Sequence, residues 1–100
     1  MKAIVSVIGK DKKGIIAKVS TALYEMNINI EDISQTIMQD YFTMIMAVDT
    51  SECPLKFDGI VDKLKKLGEQ THLEIHIQLQ SIFDSMHKIA LKQILLMLVS

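Results

Sequence analysis

A small zwitterion needs three things from a protein: a cation-seeking group, an anion-seeking group, and room between them. The segment IGKDKKGIIAKV, Ile8–Val19, holds candidates for the first two within one turn. It reads as a strand running out at Ile8, a polar turn, and a helix opening at Gly14. The start of a helix presents unpaired backbone N–H groups and the positive end of a dipole, which suits an α-carboxylate. Gly14 has no side chain to obstruct close approach. Asp11, in the same turn, is a carboxylate that can accept from an α-ammonium. Asn29, further along, offers both a donor and an acceptor. The same residues also suit a role without ligand. Asp11 can satisfy a helix N-terminus, Gly14 can permit close helix–sheet packing, and Asn29 can finish the turn before a strand. The two readings make overlapping demands, and residue type alone leaves both open.

The elements that position these residues follow from hydrophobic spacing. Lys2–Ile8 is β-branched and apolar on both faces, as a central strand should be. From Gly14 to Met26 the apolar positions Ile15, Ile16, Val19, Ala22, Leu23 and Met26 recur at helical spacing. Asn27–Gln39 returns to alternation, with Ile33, Gln35 and Ile37 on one side and Asp32, Ser34 and Thr36 on the other. Asp40 marks a tight reversal, and Tyr41–Val48 is a second strand apolar on both faces. Pro54 suits the first turn of a second helix, whose apolar stripe is Phe57, Ile60, Val61, Leu64 and Leu67. His72–Leu79 alternates cleanly as a last strand. Ile82, Phe83, Met86 and Ile89 then form a helical stripe, and Ile94–Val99 is a run of six apolar residues.

The order is β-α-β-β-α-β with a helical tail. Right-handed crossovers place the first and third strands in the middle of a four-stranded antiparallel sheet, with both helices on one face. This predicts an α+β, ferredoxin-like sandwich over 1–80 and a helical extension over 81–100. On the helix-free face the pattern leaves Ile4, Ile8, Ile45 and Tyr41, an apolar surface expected to associate, which points to a homodimer.

Composition excludes several functions that use this topology. At 49% apolar and 23% charged residues, the chain is globular rather than disordered. A net charge of −1 gives no electrostatic reason to expect nucleic acid or an anionic membrane. There is no arginine, so bidentate phosphate recognition of the acylphosphatase kind is absent. The first strand has no aromatic on which to stack an RNA base. The lone Cys53 rules out a CxxC metal chaperone and an internal disulfide, and fits a reducing cytosol. Lys2 leads into an alternating strand rather than a signal-peptide core. His72 and His76, on one strand, are expected about 13 Å apart at ~3.3 Å per residue, too far to share a metal. No cofactor is expected, and no nucleophile–base pair or phosphate loop stands out.

The runs GKDKKGIIAKV and MNINIEDIS resemble the ACT domain, a regulatory module that binds amino acids. In that family a D-x-P-G-hydrophobic loop opens the first helix, and a hydrophobic-N-I segment enters the second strand. The matching positions are Asp11, Gly14, Ile15, Asn29 and Ile30, with Lys13 in place of the proline. DISQTIMQDYFTMIM and SIFDSMHKI further resemble the single-domain UPF0237 group, similar to the glycine cleavage system transcriptional repressor. The resemblance, over about residues 1–89, implies a cytoplasmic, non-enzymatic regulator. It implies a free amino acid held by those five residues, a homodimer, and a regulatory protein as a further partner. A purely structural interaction module and a small enzyme subunit are the alternatives.

Overall fold

The computed structural model describes residues 1–10 and 14–81. Asp11, the apolar stripe Ile82–Ile89 and the run Ile94–Val99 lie outside the described residues. The elements are β1 (Lys2–Gly9), α1 (Ile15–Glu25), β2 (Asn29–Met38), β3 (Tyr41–Asp49), α2 (Phe57–Thr71) and β4 (Glu74–Leu79). They form one four-stranded sheet in the order β2-β3-β1-β4, antiparallel at every pairing. The two strands read as apolar on both faces are indeed the central pair.

Alternation sends Ala3, Val5 and Val7 of β1 toward the helices. There they join Val19 and Leu23 of α1, Ile60 and Leu64 of α2, and Met44, Met46 and Val48 of β3 in one buried core. Each fully buried Leu, Ile, Val or Met side chain contributes about 1.5–3 kcal/mol of transfer free energy. Four positions depart from the expected pattern. Ile4 and Ile8, on the opposite face, are buried rather than open. β1 lies between two strands, so Ile4 has Ala47 and Gln78 beside it and Ile8 has Thr43 and Glu74. Tyr41 and Ile45 on that face are half-buried. Among the described side chains, the exposed large apolar ones of the sheet are instead Ile33 and Ile37, on the edge strand β2.

Both helices end by the same device. After α1, the Ile28 N–H donates to the Leu23 carbonyl and the Asn27 N–H to the Tyr24 carbonyl, each at 2.9 Å. Asn27 takes the left-handed conformation this closure requires, φ 60°. It therefore ends the helix rather than starting β2. Its amide also donates to the Glu52 carbonyl at 3.2 Å, tying the turn to the loop after β3. After α2, the Leu73 N–H donates to the Gly68 carbonyl at 2.9 Å, with His72 left-handed at φ 58°. His72 is thus a helix cap and not a strand residue, and β4 begins two positions later than alternation implied. The start of α2 also differs from expectation. The Ile60 N–H donates to the Lys56 carbonyl at 3.1 Å, making Lys56 the cap and leaving Pro54 in the preceding loop.

Gly68 shows how closely α2 approaches the strand it feeds. A Cβ there would lie 2.6 Å from the Leu73 carbonyl oxygen, a backbone atom that cannot swing aside. Gly68→Ala is expected to destabilise the fold by about 1–3 kcal/mol, the usual cost of overpacking. A lowered urea midpoint with an unchanged m-value would show it.

Candidate functional site

The described residues among those singled out by the sequence, Gly14, Ile15, Asn29 and Ile30, fall into two groups at opposite ends of the sheet. Gly14 and Ile15 follow the end of β1, where Gly9 pairs with Phe42. Asn29 pairs with Asp49, which in turn pairs with Lys2 at the beginning of β1. Between the groups runs α1, whose 11 residues span about 16 Å at ~1.5 Å per residue. Within one chain, Gly14–Ile15 and Asn29–Ile30 do not meet. Spacing along the sequence identified the residues but not this separation, which comes from α1 running antiparallel to β1.

At the first end, Gly14 caps α1 in the left-handed conformation, φ 83°, with no side-chain hydrogen bond to the helix. Among the described residues the terminus is closed by the backbone: the Lys18 N–H donates to the Gly14 carbonyl at 2.9 Å. A residue with a Cβ would pay roughly 1–2 kcal/mol for that φ, which explains the glycine without invoking a ligand. The same geometry leaves the first-turn N–H groups of α1 without partners inside the helix. Ile15 is buried and anchors the helix start in the core. Gly9 is closely packed here: a Cβ would meet the ends of the Leu73 and Ile15 side chains, Ile15 Cδ1 at 3.1 Å, and both would have to shift to admit it. Lys10 holds its ammonium 5.7 Å from the centroid of the Tyr41 ring, a cation–π contact at this end of the sheet.

At the second end, Asn29 is exposed and Ile30 is packed against the core. A cleft of about 480 Å³ opens here among Tyr24, Asn27, Asn29, Asp49, Ser51 and Glu52. A β-bulge follows at once. The register with β3 shifts between Ile30 and Asp32, leaving Glu31 without a partner in the ladder. Lys2 Nζ lies 2.5 Å from Glu31 Oε2 and 3.5 Å from Asp49 Oδ2, so one lysine joins three strands. The hydrogen bond with Glu31 holds the Lys2 ammonium above its ordinary range. Asp49 accepts from the Ser51 hydroxyl and from the Ser51 N–H at 3.0 Å, and its carboxyl is held well below the usual range, chiefly by Ser51. The bulge and this polar cluster went unread in the sequence. The spacing of Lys2, Glu31 and Asp49 carries no periodic signal.

A larger groove, about 630 Å³, lies between α2 and β4, with Ile75, Ile77, Val61 and both His72 and His76 on its walls. His76 pairs with Glu74 at 3.4 Å. Among the described residues, no group of three or more His, Cys, Asp or Glu side chains is placed to hold a metal ion. None of the described helices is long and apolar enough to cross a membrane.

The β-α-β-β-α-β order, the 2-3-1-4 sheet and the glycine-capped first helix define a class. Residues 3–69 match the ACT domain model, and the chain belongs to the ACT domain family. Within it, the chain is 55% identical over 89 residues to a UPF0237 protein of Clostridium acetobutylicum, covering 89% of this chain and all of that one. An ACT domain protein from Streptococcus pneumoniae superposes with a TM-score of 0.76 at 41% identity, covering 87% of this chain and 98% of that one. A chain described as a glycine cleavage system transcriptional repressor shares the fold, with a TM-score of 0.68, 18% identity, and coverage of 77% here and 45% there.

The polar cluster makes stability depend on acid. The folded pKa of Asp49 lies below its unfolded value, near ~3.9. Its contribution is therefore present above that pH and lost as pH falls through the folded value. Ser51→Ala should move the Asp49 titration up toward the unfolded value. Carboxyl chemical shifts followed by NMR between neutral pH and acid measure this directly; an unmoved titration would mean that Ser51 is not the main cause.

Proposed function

We propose that this protein is a small regulatory ACT-domain module that binds a free amino acid and acts as a homodimer, without catalysis of its own. The observation that carries the reading is the start of α1. Gly14 caps the helix with no side chain, first-turn N–H groups have no partner inside the helix, and the stretch that resembles the family's ligand loop runs into this terminus in the sequence. An α-carboxylate suits that terminus electrostatically. Asp11 is assigned the α-ammonium, and Asn29 with Ile30 completes the site. Since those two residues lie at the other end of their own sheet, they are supplied by a second copy. The output is a protein contact that changes when the ligand binds, which requires a regulatory protein partner. The setting is the cytoplasm.

A ligand at one hundred times its dissociation constant stabilises the native state by about 2.7 kcal/mol. Thermal melts and calorimetry with the common amino acids are expected to single out one or a few. If none binds at millimolar concentration, the chain is an interaction module without ligand. Asp11→Ala separates the two roles open to that residue. Loss of binding with a preserved melting temperature supports contact with the ammonium. A loss of ~1 kcal/mol of stability with unchanged affinity makes Asp11 a helix cap and nothing more.

A further inference from the structure

We propose that residues 82–89, which lie outside the described residues, dock as an amphipathic helix on the helix-free face of their own sheet. That face is drier than a two-layer sandwich would leave it. Along its middle, Ile4, Ser6 and Ile8 of β1 are 7%, 7% and 4% exposed, and Thr43 of β3 is 7% exposed. The outer face of an antiparallel sheet covered on one side only is ordinarily solvated. The flanking strands shield these side chains laterally but do not lie above them. α1 and α2 account for the other face, where their buried residues meet Ala3, Val5 and Val7 in the core. Ile4 and Ile8 are buried yet stand outside that core. Their cover comes from elsewhere in the chain.

The polarity of the face selects its occupant. The floor is two strands wide, with Ile4, Ser6 and Ile8 set opposite Ala47, Ile45 and Thr43. The margins are polar. β4 places Glu74, His76 and Gln78 beside the floor, and β2 places Asp32, Ser34 and Thr36 there. All of these but Gln78 are exposed. Two strands at ~4.8 Å spacing make a floor about 10 Å across. A helix with its side chains is about 10–12 Å in diameter. One helix therefore fills the floor and leaves both margins in water. A second sheet laid face to face would take both margins out of water, carboxylates included, which is strongly unfavourable.

The chain delivers such a helix to this place. β4 ends at Leu79, which pairs with Ala3, next to Ile4 at one end of the floor. Gln80 and Ser81 are already helical. In the residues that follow, Ile82, Phe83, Met86 and Ile89 recur at helical spacing on one side, with Asp84 and Lys88 on the opposite side. From 82 to 89 a helix advances about 11 Å at ~1.5 Å per residue. From Ile4 to Ile8 the floor runs about 13 Å at ~3.3 Å per residue. Stripe and floor are matched in length and adjoin along the chain. The apolar face that the sequence offered for association is then closed within one molecule.

The test uses the full chain, isotope-labelled for NMR. Nuclear Overhauser contacts are expected from the Ile4, Ile8 and Ile45 methyl groups to the Phe83 ring and the Met86 methyl group. In an equal mixture of labelled and unlabelled chains, an isotope-filtered spectrum should lack them, because the helix lies on its own sheet. Phe83→Lys combined with Met86→Lys should abolish the contacts and shift the Ile4 and Ile8 methyl signals. The Val5 and Val7 signals, on the other face, should stay in place. Contacts that appear in the isotope-filtered spectrum assign the cover to a second copy and overturn the proposal. It is also overturned if the face makes no contact with Phe83 or Met86, or if the double variant leaves the Ile4 and Ile8 signals unmoved. Should the double variant fail to fold, the wild-type contacts decide by themselves.

Discussion

The rest of the molecule depends on the burial of β1. It is the strand both β3 and β4 pair with, and from Ala3 onward its residues are buried on both faces. A strand held in this way cannot slip by one residue without sending Val5 and Val7 out of the core. With β1 fixed in place and direction, each connection has its end assigned. The loop to α1 must leave beside Phe42, and the chain must re-enter the sheet at Asn29 beside Asp49. The separation of Gly14–Ile15 from Asn29–Ile30 is therefore a property of topology and not of the loops themselves.

The helix ends transmit that constraint. At Asn27 and His72 a left-handed residue turns the chain, and the following apolar residue, Ile28 or Leu73, folds back against the last turn through its own N–H. Each helix thereby delivers its strand in a set register without a long linker. The Asn27 amide adds a tie to the loop after β3, so the entry to β2 is braced from two sides. Lys2, reaching Glu31 and Asp49, braces it from a third. The entry to β2 beside Asn29 is thus tied to β1, to β3 and to the loop after β3.

Much of this was legible in the sequence, for physical reasons that differ by residue. Val5, Val7, Met44 and Met46 are buried because strands apolar on both faces must be central, and periodicity reports that faithfully. Gly14 and Ile15 could be placed at a helix start because glycine before an apolar run has few other uses. Other features left no periodic trace. Asn27 and His72 adopt left-handed φ values, which many residue types can take at a helix end when the next N–H finds a carbonyl. Pro54 fits a helix start by local preference, but the first helical hydrogen bond forms at Lys56. The bulge at Glu31 preserves the polar character of its neighbours, so alternation passes over it. Ile4 and Ile8 read as exposed because a pattern tells which face a side chain takes and not how crowded that face is.

The shortness of β4 has a consequence for stoichiometry. A sheet with two open edges can in principle lengthen without limit, each molecule templating the next. Here the outer strand opposite β2 has six residues and carries Glu74 and His76 on one face. Brief, charged edges of this kind resist templating. The ten-residue border of β2, which exposes Ile33 and Ile37, and the six-residue, charged border of β4 are therefore unequal as templates for a further strand.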